Sequence, residues 1–252
     1  MYDIEMQKMS PEFFNCWKTA GLHLNNQVHG GIQSWLRAHP YPPFLEHLSF
    51  RLGNQLFFIR IADINGKVRG PGSLRGLLIF AESNNGHPCL LLMKKNLIND
   101  AWIPDRNGWG LIDAITKKPV DPVSLVTDEK IEMTPWEIQA MAVQVVRDYQ
   151  EKQGYKLMSW QGNPEVDPAI WFIGDSKEPE WIMVRGIKFP AKQALRPENW
   201  QAIVEKCACL SRIGHFASVA IVSAEQPFQS QNEPAVPLWR GLPMHVRFTG
   251  LE

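Results

Sequence analysis

The sequence predicts an α+β protein, and three observations predict it. Two segments carry apolar residues at helical spacing behind clear start signals. Several short apolar runs are separated by turns rich in glycine and asparagine. These two kinds of segment fall in blocks and do not alternate regularly along the chain. Hydrophobic residues make up 44% and charged residues 21%, the balance of a chain that buries a core. A length of 252 residues accommodates one large domain or two smaller ones.

The first helix is announced by Ser10-Pro11-Glu12, with serine as N-cap, proline at the first helical position and an early acid. Phe13, Phe14 and Trp17 supply its apolar face and Gly21 ends it. A second short helix is expected over 31–38, carrying Ile32, Trp35 and Leu36, until His39-Pro40-Tyr41-Pro42-Pro43 stops it. The pattern then turns to strands. Segments 48–52 and 55–61 flank Gly53-Asn54, and segments 77–81 and 88–93 flank Ser83-Asn84-Asn85-Gly86, so two hairpins are expected. The glycine-rich stretch 63–73 lies between them as a surface loop. Residues 44–115 thus read as an antiparallel β-meander, with a further short strand over 109–113.

The polar, turn-forming stretch 121–133 marks the expected boundary between an N-terminal region, residues 1–133, and a C-terminal one, residues 134–252. The latter opens with Thr134-Pro135-Trp136-Glu137, a capping box with proline at the first helical position. Ile138, Met141, Ala142, Val145, Val146 and Tyr149 recur at helical spacing, which predicts an amphipathic helix over 135–153. Strands are expected over 155–161, 169–173 and 181–189. A helix follows from Pro197-Glu198, carrying Trp200, Ile203, Cys207 and Leu210, and then strands over 216–224 and 244–248.

Composition narrows the function classes. Lys and Arg number 26, as do Asp and Glu, so no global charge draws the chain to nucleic acid or anionic lipid, and self-association is easier. No apolar run is long enough to span a membrane, and Met1-Tyr2-Asp3-Ile4-Glu5 does not open a secretory leader. The four cysteines, at 16, 89, 207 and 209, read as reduced core residues, and a cytoplasmic setting is expected. The ten tryptophans are spread along the chain and read as structural anchors. The seven histidines and four cysteines show no zinc spacing, and no nucleophile elbow or dinucleotide fingerprint occurs. Two smaller patterns stand out. The segment Arg69-Gly70-Pro71-Gly72-Ser73-Leu74-Arg75-Gly76 could cradle a phosphate or simply connect two strands. Trp102 and Trp109, with Arg106 between them, could form an aromatic contact surface.

The order helix, three strands, helix, strand across residues 135–224 resembles the core of the PD-(D/E)XK nuclease-like superfamily, a restriction-endonuclease-like αβββαβ arrangement. The resemblance covers a little over a third of the chain. It implies an aspartate on the second core strand and an acid and a lysine two residues apart on the third, together holding Mg²⁺ and a water for phosphodiester hydrolysis. A hard divalent ion needs convergent carboxylate oxygens, and a nearby cation then stabilises charge. On this resemblance Asp167 stands where the first acid belongs, with Glu137 as a second metal ligand, Glu180 as a further acid and Arg185 or Lys188 as the cation. The third strand departs from the pattern. Pairing Arg185 with the lysine position leaves Met183 at the acid, pairing Lys188 leaves Gly186, and starting from Glu180 leaves Ile182 at the lysine.

The expectation is therefore a non-catalytic cytoplasmic binding or regulatory protein on a degenerate nuclease-like scaffold, with a protein or a nucleic acid as partner. The alternatives are a Mg²⁺-dependent nuclease using Asp167, Glu137 or Glu180, and Arg185 or Lys188, and a module that sequesters one protein, such as a toxin antagonist or a defence-locus component.

Overall fold

The computed structural model describes residues 10–38, 47–70, 72–226, 228 and 234–252. The readings made at Met1 to Glu5 and at His39 to Pro43 lie outside them, as does Pro71 of the glycine-rich segment. The protein is α+β, and it divides between Glu129 and Lys130 into two compact units.

The first unit opens with α1 (Pro11–Asn25), whose N-cap Ser10 accepts from the Phe13 N–H. Its sheet runs β1 (Trp35–Ala38), β2 (His47–Leu52), β3 (Gln55–Asp63), β4 (His87–Lys95), β5 (Trp102–Pro104), with β6 (Leu111–Asp113) also paired to β4. Phe13, Cys16, Ala20 and Leu24 of α1 join Phe50, Phe57, Ile59, Leu91 and Met93 in one core.

Four expectations are corrected here. The segment around Trp35 is a strand, paired antiparallel with β2. The run at 77–81 is no hairpin strand; it lies inside α2 (Leu74–Ser83), whose N-cap Ser73 accepts from the Gly76 N–H. In consequence β3 and β4 pair in parallel, and β3–α2–β4 is a crossover unit within what reads as a meander. Trp102 also belongs to a strand, is buried, and donates from Nε1 to Glu12 at 2.9 Å. Trp109 stacks on Phe50 with ring centroids 5.8 Å apart. The two rings therefore serve the core and form no contact surface. None of the ten tryptophans is exposed.

The second unit starts from α3 (Pro135–Lys152). Its sheet has the order β11-β10-β9-β8-β7, with β7 (Lys156–Trp160), β8 (Ile170–Ile173), β9 (Pro179–Lys188), β10 (Gly214–Ser223) and β11 (Met244–Phe248). β9 and β10 are parallel, bridged by α4 (Trp200–Cys207), and the other neighbours are antiparallel. Alternation along β9 explains the layering. Ile182 and Val184 pack with Ile138, Ala142 and Val146 of α3, whereas Trp181 and Met183 pack with Ile203 and Cys207 of α4.

Close approach of α3 requires glycine on the sheet beneath it. A Cβ at Gly186 would lie 2.9 Å from both the Ala142 Cβ and the Ile138 carbonyl oxygen. Cys209 lies beyond the end of α4 and is exposed, a correction to its reading as a core residue, while Cys16, Cys89 and Cys207 are buried and free.

Candidate functional site

The centre of the second unit is the point where β8 leaves β9. Pairing of the two strands runs from Ile173–Pro179 to Ile170–Ile182, and the Ala169 N–H still donates to the Ile182 carbonyl. Beyond that point β9 continues through Val184, Arg185 and Gly186 without β8 beside it. The backbone groups exposed by this departure need partners. Gln139 of α3 supplies them: its amide donates to the Val184 carbonyl at 2.8 Å and accepts from the Gly186 N–H at 2.9 Å. A buried glutamine thus stands in for the missing strand.

Asp167 sits at the head of β8, facing Arg185 on β9. The Arg185 Nη1 donates to Asp167 Oδ1 at 2.8 Å and Nη2 to Oδ2, a two-pronged pair. The Asp167 side chain is 10% exposed and that of Arg185 24%. Arg185 Nη1 also donates to the Val184 carbonyl at 2.8 Å. The planar guanidinium matches both carboxylate oxygens, which a lysine could not do.

The other residues singled out from the sequence lie in separate pairs. Glu137 completes the capping box of α3, accepting from the Thr134 N–H at 2.9 Å. Its carboxylate also receives Nε and Nη2 of Arg240 at 2.9–3.0 Å, with the Arg240 side chain fully buried. Glu180, near the start of β9, accepts from Ser176 Oγ at 2.6 Å and lies 2.7 Å from His215 Nε2 on β10. Five residues of extended chain, about 17 Å, separate Glu180 from Arg185. Lys188 is paired with Glu132 at 2.6 Å near the surface.

Asp167 and Arg185 are therefore brought together, and Glu137, Glu180 and Lys188 are each engaged elsewhere. Among the described residues no group of three or more His, Cys, Asp or Glu side chains could hold a metal ion. At Asp167 the one carboxylate is already paired with a guanidinium, whereas a hard cation such as Mg²⁺ needs several convergent oxygens.

Two partners escaped the sequence reading. Arg240 is 103 residues from Glu137 and His215 is 35 from Glu180, so no local spacing connects them. In the first unit, the turn that leads into the glycine-rich segment is tied by side chains. The Asp63 carboxylate accepts from the N–H groups of Asn65, Lys67 and Val68 at 3.0–3.1 Å, and Arg60 donates to the Gly72 carbonyl at 2.8 Å.

Residues 136–252 match a family described as a domain of unknown function, DUF8840. No curated protein and no solved structure matches the chain. No helix among the described residues is long and apolar enough to cross a membrane.

Proposed function

We propose that residues 130–252 form a binding module on a nuclease-type scaffold, and that its partner is a protein. One observation carries this reading: each acid the scaffold would use for phosphodiester hydrolysis is held by its own cation or hydrogen-bond donors, so the carboxylates do not converge. The helix, three strands, helix and strand occur in the order on which the nuclease resemblance rests, and Asp167 heads the second of those strands. That position supports a common scaffold. The Asp167–Arg185 pair at the same place supports a role for it as a clasp that holds the departing β8 against β9.

A protein partner is favoured over nucleic acid by the fate of the cations at the candidate site itself. Arg185, Lys188 and Arg240 are in ion pairs, and Arg147 pairs with Asp148 and Glu151. A nucleic-acid groove needs cations free to neutralise phosphates. A cytoplasmic setting accords with four free cysteines, and sequestration of one protein is the simplest regulatory form such a module takes.

The test is direct titration of fluorescent single-stranded DNA, duplex DNA and RNA at low salt, beside affinity capture from a nuclease-treated native extract. The reading expects no salt-dependent nucleic-acid binding and a stoichiometric protein in the eluate. Salt-dependent binding of any of the three nucleic acids, with no protein captured, contradicts it.

A further inference from the structure

The turn joining β4 to β5 carries the two most exposed large aliphatic side chains among the described residues, Leu97 at 100% and Ile98 at 95%. The turn that presents them is firmly tied. The Asn96 N–H donates to the Ala101 carbonyl at 2.8 Å, and the Asp100 N–H to the Asn96 carbonyl at 3.0 Å. The Asn96 and Asn99 side chains accept from the N–H groups of Ile98 and Ala101 at 2.9 and 3.2 Å. Lys95 then bridges Asp100, at 3.0 Å, to Glu12 of α1, at 2.7 Å. A turn already fixed in shape loses little freedom when it docks.

The same unit contains a hollow of about 340 Å³. Its apolar walls are Trp17, Gly21 and Leu22 of α1, Trp35 and Leu36 of β1, and Leu48 of β2, and three polar residues complete the lining. The space suits two branched aliphatic side chains. The strand order β1-β2-β3-β4-β5 places the hollow at one edge of the sheet and the turn at the other. Three to four strand spacings separate them, about 14–19 Å. A chain therefore cannot fill its own hollow with its own turn.

We infer that Leu97 and Ile98 of one copy seat in the hollow of a second copy of this chain. Knob and hollow match in size and apolar character, and the chain as a whole carries no net charge to oppose association. Two copies that exchange turns reciprocally close as a twofold dimer, and a one-way exchange propagates head-to-tail. The inference concerns the first unit and is independent of the role proposed for residues 130–252.

Sedimentation velocity of the full chain over a wide concentration range tests it. Two variants separate the partners: Leu97→Asp combined with Ile98→Asp removes the knob, and Leu22→Arg, at a position 57% exposed, obstructs the hollow. Each side of the contact lies at the surface, so far-UV circular dichroism should match the wild type.

The wild type should self-associate, and each variant should do so about a hundredfold more weakly. An equimolar mixture of the two variants retains one intact knob and one intact hollow, so it should recover a one-to-one dimer. A wild type that stays monomeric throughout overturns the inference, including the case in which the turn binds phosphatidylcholine vesicles instead. So does a knob variant that associates like the wild type, or a mixture that recovers nothing.

Discussion

Arg240 and Glu137 show how much a single pair can decide in this chain. Both side chains are buried, so removing one partner strands a charge away from water. Arg240→Ala should lower the stability of the second unit by about 3–5 kcal/mol in urea titrations. The thiols behave differently. Burial pushes Cys16 up to about 12, with the carboxylates of Asp63 and Glu12 adding to it, and burial pushes Cys89 up to about 12 as well. Their ordinary value is 9.0. The folded state therefore keeps protons that the unfolded chain releases. The associated stability is complete below pH about 9 and is lost as pH rises toward about 12. Urea midpoints of the wild type should fall across that window, and those of Cys89→Ala should fall less steeply. An aromatic disulfide reagent should find one fast thiol, Cys209, in the native protein, and four once it is unfolded.

At the scale of elements, the second unit was largely legible in the sequence and the first only partly. Caps made the difference. Thr134-Pro135 with Glu137 fixes the start of α3, and the observed capping box uses those same residues. The stretch 77–81 misled because a short apolar run carries no period that separates strand from buried helix. Its decisive signal was Ser73 as N-cap, which sits inside a glycine-rich segment that reads as loop. Trp35 was misread for a related reason: four residues of β1 gain their conformation from pairing with β2, not from local preference. The candidate site divides in the same way. The Asp167 and Arg185 pairing was foreseeable from neighbouring core strands, whereas Gln139, Arg240 and His215 act through contacts that no local spacing announces. Packing of α3 makes its own prediction. Gly186→Ala places a methyl group against helix backbone and should cost about 1–3 kcal/mol, read from the denaturation midpoint.

Over the whole molecule, charge balance takes a concrete form. Equal numbers of acids and bases are reflected in local pairs at Lys94–Asp105, Lys95–Glu12, Arg147–Asp148, Arg185–Asp167, Lys188–Glu132 and Arg240–Glu137. A carboxylate held in such a pair offers fewer oxygens to a divalent ion. Each unit has its own core, so each can be assayed through residues that belong to it alone. The central claim, that Asp167, Glu137 and Glu180 serve structure and not hydrolysis, is tested most directly by one assay. Labelled DNA and RNA, single- and double-stranded, are incubated with the full chain in Mg²⁺ or Mn²⁺, beside Asp167→Ala. The account predicts intact substrates in every lane; cleavage by the wild type that disappears in Asp167→Ala would contradict it.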